Sequence, residues 1–219
     1  MIRVKICGIT TVRDAIAAAD LGASAIGLVF WPSSPRCVDI RTARQIVESL
    51  PPFVSAVGVF VNQLESAGGI ASEVGLSAVQ LHGDERPEDY WQFPLHVIKA
   101  VPVSDDSTRT AAISVPPHMS VLLDAHDPVK RGGTGRRVDW TIAAVIARQR
   151  RIILSGGLNA ANVAEAIAAV KPYALDISSG VESAPGRKDR GKLRELFDVL
   201  RDSPFDIQHS AFGIDDYDN

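Results

Sequence analysis

Two side chains at the ends of apolar runs carry most of the reactive chemistry in this chain. In Val4-Lys5-Ile6-Cys7-Gly8-Ile9-Thr10 a thiol closes a strand-like run just before a glycine turn. In Leu122-Leu123-Asp124 a carboxyl group ends another apolar run. An ionised thiol is a base or a nucleophile, and a carboxyl group that keeps its proton is a general acid. Cys7 and Asp124 together therefore suggest a proton-transfer pair. A lone buried cysteine more often serves packing. Asp124 is the stronger candidate, because burying a carboxylate is costly unless it is used or paired. For the pair to work, Cys7 needs donors or positive potential that favour thiolate. Asp124 needs burial or a like charge, and Asp127 and Asp176 are the candidate neighbours.

Other polar residues fall at strand ends as well: Arg36, Asn62, His82, Ser155 and Asp176. Arg36 lies in Trp31-Pro32-Ser33-Ser34-Pro35-Arg36-Cys37, a loop stiffened by its prolines. Its guanidinium can grip a carboxylate through two parallel hydrogen bonds, although most arginines are simply exposed. Cys37 beside it reads as packing. His82, in Gln80-Leu81-His82-Gly83-Asp84-Glu85, is either a ligand contact or a satisfied core histidine.

Two glycine-rich segments follow late strands, Ser155-Gly156-Gly157-Leu158-Asn159 and Ser178-Ser179-Gly180-Val181-Glu182. Glycines let backbone N–H groups approach an anion, and a helix start adds partial positive charge. Gly156, Gly157, Ser178, Ser179 and Gly180 are accordingly candidate phosphate contacts, with plain turn chemistry as the alternative. Gly132-Gly133-Thr134-Gly135 is a third flexible loop, able to close over a ligand and to bring Gly133 to it. Asp84, His82 and Glu85 lack further partners at metal-ligand spacing, so no metal site is expected. There is no dinucleotide or P-loop fingerprint.

The elements that must position these groups alternate in type. Short apolar, β-branched runs are expected as strands at Val4–Cys7, Ala25–Phe30, Ser55–Val61, Ala78–His82, His96–Val101, Met119–Asp124, Arg151–Ser155 and Ala174–Ser178. Helices are expected at Thr11–Leu21, Arg41–Leu50, Leu64–Val74, Pro87–Phe93, Thr108–Ile113, Trp140–Ala147, Ala161–Val170 and Lys188–Arg201. Strands apolar along most of their length suit a parallel sheet covered on both faces. About eight strand–helix units in about 200 residues point to a closed (β/α)8 barrel, with an open doubly wound sheet as the competitor. In such a barrel the site lies at the C-terminal strand ends. Residues 1–202 read as one barrel domain and 203–219 as an acidic, loosely ordered extension.

The bulk composition narrows the partners. The chain has 219 residues, 46% hydrophobic and 22% charged, with a formal net charge of -3, which suits one soluble domain rather than a nucleic-acid binder. Lys130, Arg131, Arg136 and Arg137 form one local basic patch in a loop. Two cysteines are too few for a disulfide scaffold, and the N-terminus lacks a signal-peptide core. No apolar stretch approaches the roughly 20 residues that span a bilayer. A cytoplasmic protein acting on a small molecule, as monomer or homodimer, is expected.

Taken together, these segments resemble phosphoribosylanthranilate isomerase of tryptophan biosynthesis. The matches run in order from Lys5-Ile6-Cys7-Gly8-Ile9-Thr10 through Gly27-Leu28-Val29-Phe30, Ser33-Ser34-Pro35-Arg36, Val57-Gly58-Val59-Phe60 and Val79-Gln80-Leu81-His82-Gly83-Asp84-Glu85. They continue through Leu122-Leu123-Asp124, Gly132-Gly133-Thr134-Gly135, Asp139-Trp140 and Leu154-Ser155-Gly156-Gly157-Leu158 to Asp176-Ile177-Ser178-Ser179-Gly180-Val181-Glu182. The resemblance implies a (β/α)8 barrel that performs an Amadori rearrangement without metal or organic cofactor. It implies Asp124 as general acid on the ribose ring oxygen and Cys7 as general base at ribose C2. It also implies Arg36 on the anthranilate carboxylate and phosphate at the late loops, while His82 and Asp176 at their strand ends are further candidate substrate contacts. The competing readings are another sugar-phosphate barrel enzyme, such as indole-3-glycerol-phosphate synthase with Lys5 or Lys99 as catalytic lysine, or a non-catalytic sugar-phosphate-binding barrel.

Overall fold

The computed structural model describes residues 2–90, 93–105, 107–125 and 138–202. Eight strands follow one another around a ring: β1 Arg3–Cys7, β2 Ala25–Val29, β3 Ser55–Phe60, β4 Ala78–Leu81, β5 His96–Val103, β6 Ser120–Ala125, β7 Ile152–Leu154 and β8 Ala174–Ile177. Each strand runs parallel to the next in chain order. β8 closes the ring by pairing with β1, Val4 opposite Leu175 and Lys5 opposite Asp176. That closure excludes the open doubly wound sheet. The helices between them are α1 Val12–Leu21, α2 Ile40–Ser49, α3 Leu64–Val74, α4 Pro87–Tyr90, α5 Ser107–Ser114, α6 Trp140–Ala147, α7 Val163–Val170 and α8 Arg190–Asp202.

Local chemistry sets the helix ends. The Thr11 hydroxyl accepts from the Asp14 amide at 3.1 Å and starts α1, which stops at Gly22 with φ of 116°. Asp39 accepts from the Thr42 amide at 2.7 Å to open α2, and Asp139 accepts from the Thr141 amide at 2.8 Å to open α6. α7 begins two residues later than the apolar periodicity suggests. The Asn159 side chain accepts from the Ala161 amide, and the Asn162 side chain accepts from the Asn159 amide, so an Asx turn occupies that stretch first.

The last helix also starts later than expected. Residues 182–188 form a small antiparallel hairpin instead, β9 Glu182–Ala184 and β10 Arg187–Lys188, turned at Pro185-Gly186 with Gly186 at φ of 77°. Lys188 is therefore a buried strand residue rather than the first turn of a helix.

Strand alternation divides the core. Ile6, Leu28, Phe60, Leu81, Leu123 and Ile177 face the helices, and Phe30 stacks on Phe60 with ring centroids 5.2 Å apart. Val57, Ala78, Ile98, Ala100, Leu122, Ile153 and Ala174 fill the barrel interior. Because side chains alternate with a period of two, the next inward positions above Ala78, Leu122 and Ala174 are Gln80, Asp124 and Asp176. On β1 the helix-facing Val4 and Ile6 leave Lys5 and Cys7 pointing inward. The barrel is thus apolar below and polar toward the C-terminal strand ends.

Candidate active site

Cys7 and Asp124 end β1 and β6 on inward positions, 8% and 5% exposed respectively. Gly27, paired with Cys7 on β2, makes room for the thiol: a Cβ there would lie 2.8 Å from Cys7 Sγ and 3.0 Å from Lys5 Cε. The Asp124 carboxyl accepts from the Ala125 amide through Oδ1 at 2.9 Å, and its Oδ2 stands 3.2 Å from His82 Nε2. The other ring nitrogen of His82, Nδ1, lies 2.9 Å from Gln80 Nε2. Both nitrogens thus have protein partners, which leaves a substrate only the carbon edge or face of the ring.

Arg36 is buried, and its guanidinium is braced from one side. Nε and Nη2 donate to the two oxygens of Glu182 at 2.9 and 2.7 Å. The fork formed by Nη1 and Nη2 remains for a second carboxylate. Gly8, at φ of 74°, permits this placement, because a Cβ there would sit 2.4 Å from Arg36 Cδ. Glu182 also accepts from Lys188 Nζ at 2.8 Å and from the Gly186 amide at 3.2 Å. Lys188 Nζ donates in addition to the Cys7 carbonyl at 2.6 Å and the Ser178 carbonyl at 3.2 Å. One buried ammonium therefore joins the ends of β1 and β8 to the hairpin.

The charges around the thiol do not act as the sequence suggests. Burial pushes Cys7 above its ordinary value, and Asp176 adds to the rise. Lys5 and Lys188 pull it down without offsetting burial. The expected positive potential is present, but the low-dielectric site outweighs it. Burial lowers Lys5, yet Asp176 and Cys7 together hold its ammonium above the usual range. Burial lowers Lys188 more than Glu182 restores it. Burial raises Glu182, but Arg36 and Lys188 win and hold its carboxyl below the usual range.

Asp176 accepts from Lys5 Nζ at 2.8 Å, so its charge faces β1. The neighbour found at the Asp124 carboxylate is His82. Asp127, Gly133 and the basic patch at 130–137 lie outside the described residues, as does the tail 203–219. Lys99 points to the helix side and pairs with Glu85 at 2.8 Å and the Gly83 carbonyl at 2.6 Å, which makes it a loop clamp. Cys37 is exposed and does not pack.

The two glycine loops meet each other. Gly156 and Gly157 take φ of 87° and 66°, and a Cβ on Gly180 would stand 1.9 Å from the Leu158 carbonyl oxygen. Ser179–Val181 is a single 3-10 turn. Neither loop runs straight into a long helix, since α7 and α8 begin further on. The helix expected to open directly at the Gly156-Gly157 loop begins only at Val163.

A thiol, a shielded carboxyl group, a braced guanidinium and two abutting glycine turns thus stand at one end of the barrel. The model for N-(5'-phosphoribosyl)anthranilate (PRA) isomerase matches residues 4–199. The chain belongs to the phosphoribosylanthranilate isomerase family. It is an isomerase of tryptophan biosynthesis. The N-(5'-phosphoribosyl)anthranilate isomerase of Pelobacter propionicus is 47% identical over 93% of this chain and 97% of that relative. The crystal structure of the Thermotoga maritima isomerase is 42% identical, with a TM-score of 0.86 over 92% of this chain and 99% of that one. A second structure, a phosphoribosyl anthranilate isomerase in complex with reduced 1-(o-carboxyphenylamino)-1-deoxyribulose 5-phosphate, is 41% identical with a TM-score of 0.81 over 92% of this chain and 99% of that one. The family's segments are legible as motifs, whereas little in the sequence sets Lys188 and Gln80 apart as site residues. The only advance signals were an unexplained basic residue after Pro185-Gly186 and an amide inside an apolar strand.

Proposed function

We propose that this barrel mouth converts N-(5-phosphoribosyl)anthranilate to 1-(2-carboxyphenylamino)-1-deoxyribulose 5-phosphate, with Asp124 as general acid and Cys7 as general base. Asp124 gives its proton to the ribose ring oxygen, the C1–O bond breaks and a protonated Schiff base forms at C1. Cys7 then takes the proton from C2, and the electron pair neutralises the iminium nitrogen to give an enolamine. Ketonisation moves one proton net from the C2 hydroxyl to C1, and Asp124 and Cys7, left with exchanged protonation states, return to their starting forms by proton exchange with solvent. The supporting observation is that Cys7 and Asp124 occupy inward positions at the same end of one closed barrel.

The open fork of Arg36 takes the anthranilate carboxylate in this reading. The turns at Gly156, Gly157, Ser178, Ser179 and Gly180, with Gly133 from the preceding loop, take the phosphate. The inward faces of His82 and Asp176 border the sugar. Burial favours the protonated thiol, so Cys7 acts as base only after giving up its own proton to solvent, and the substrate's positive iminium, with Lys5 and Lys188, favours the thiolate that results. Both cysteines are free thiols, in keeping with a reducing, cytoplasmic setting. The decisive experiment mixes purified protein with phosphoribosylanthranilate. Its fluorescence should disappear with no change in mass, as an isomerisation requires. Persistent fluorescence at high enzyme concentration would refute the proposal.

A further inference from the structure

Gln80 is the one polar residue of β4, fully buried inside the barrel beneath the mouth. Among the described residues it makes one polar contact, from Nε2 to His82 Nδ1 at 2.9 Å. Its carbonyl, Oε1, is buried and has no hydrogen-bond partner among them. An apolar side chain of the same length would avoid that cost, so packing does not account for an amide at this position. What the amide adds is a donor aimed at one nitrogen of one imidazole.

An imidazole that accepts at Nδ1 must, when neutral, carry its proton on Nε2. Nε2 faces Asp124 Oδ2 at 3.2 Å. The chain of donors then has one direction: Gln80 N–H to His82 Nδ1, and His82 Nε2–H to the Asp124 carboxyl. Once Asp124 has released its proton, the opposite tautomer would set the Nε2 lone pair against a carboxylate oxygen. We infer that Gln80 is a positioning residue that fixes the Nε2–H tautomer of His82, so that the imidazole stabilises the carboxylate Asp124 becomes as it releases its proton. This inference rests on the acid role proposed above for Asp124.

The effect falls on the transition state. A hydrogen bond to oxygen strengthens as that oxygen gains negative charge, so Nε2–H helps more as the proton leaves Asp124 than before. The bond also occupies Oδ2, which leaves Oδ1, already held by the Ala125 amide, as the oxygen that presents the acid proton. No atom is transferred to or from Gln80. Its contribution is the orientation of one N–H bond.

The test compares Gln80→Met, which keeps length and burial, with Gln80→Glu, which accepts but does not donate. Nitrogen-15 spectra of labelled histidine, with the His82 signals assigned by their loss in His82→Gln, report the tautomer without reference to activity. The wild type should show a protonated Nε2 and a bare Nδ1. Gln80→Met should give a mixture of tautomers, and Gln80→Glu should protonate Nδ1. In both variants kcat should fall about ten- to a hundredfold, by analogy with the loss of a partner that orients a metal-bound imidazole, with KM changed little. Gln80→Met should melt no lower than wild type, because it also removes the unpartnered carbonyl. A merely structural glutamine would instead lower the melting temperature and leave the tautomer alone. An unchanged tautomer in both variants, or a switched tautomer with wild-type kcat, would overturn the inference. An inactive wild type would fail the acid–base reading instead, and the spectra would still decide the link between Gln80 and His82.

Discussion

Replacing Glu182 by leucine removes the one carboxylate that the two buried cations at the mouth share. Glu182, Arg36 and Lys188 are all under 10% exposed, at 6%, 9% and 7%. Leucine leaves Arg36 Nε and Nη2, Lys188 Nζ and the Gly186 amide without their shared acceptor. Breaking a buried ion pair from one side costs about 3–5 kcal/mol, because the remaining charge stays buried and unpaired. At about 2–4 °C per kcal/mol for a chain of this size, the melting temperature should drop by roughly 6–20 °C. Arg36 also loses its brace, so KM for phosphoribosylanthranilate should rise several-fold while kcat falls less. Because Arg36 and Lys188 hold the Glu182 carboxyl below its usual range, its stabilisation is complete above the unfolded carboxylate value. It is lost as pH falls through the depressed folded value. The stability gap between Glu182→Leu and wild type should therefore be widest near neutrality and close in acid. Thermal unfolding by circular dichroism across pH, with parallel substrate titrations, measures both effects. A melting temperature within about a degree of wild type at neutral pH would refute the shared-carboxylate reasoning.

Other outcomes follow from the same geometry. Arg36→Met should mainly raise KM, and an unchanged KM would move the substrate carboxylate elsewhere. Burial holds the Cys7 thiol above its ordinary value, so kcat/KM should keep rising with pH through the usual thiol range near about 8.5. A profile flat across that range would contradict Cys7 as the free-enzyme base. Gly180→Ala would drive a Cβ onto the Leu158 carbonyl, so the two late loops should separate and phosphate should compete more weakly with substrate. Unaltered inhibition by inorganic phosphate would argue that these turns do not hold the anion.

Much of the barrel could be read in advance because its strands are short, apolar and regularly spaced. α3 and α6 lie at the periodic segments themselves, Leu64–Val74 and Trp140–Ala147. The misreadings arose where side chains compete with periodicity. Asn159 and Asn162 hydrogen-bond into a turn where alanines suggested helix, and α7 waits until Val163. The pairs of the hairpin at 182–188 are too few to leave an alternating pattern, so Lys188 looked like a helix start rather than a cation at the mouth. Cys7, Asp124 and Arg36 were legible because each stands out from its apolar or proline-rich surroundings. Their partners were not: His82 reaches Asp124 from 42 positions away in the chain (124 less 82), and Glu182 reaches Arg36 across 146. Only closure of the ring brings such groups together. The balance of forces on Cys7 was equally hidden, since the ammonium groups were visible in the sequence and the depth of burial was not.

The most direct test of the central claim follows substrate fluorescence for wild type, Cys7→Ala and Asp124→Ala side by side, each checked for a wild-type fold. The wild type should consume phosphoribosylanthranilate rapidly. Each variant should lose about a hundredfold or more in kcat, the contribution expected of a positioned acid or base. Rapid turnover by either variant would contradict the account.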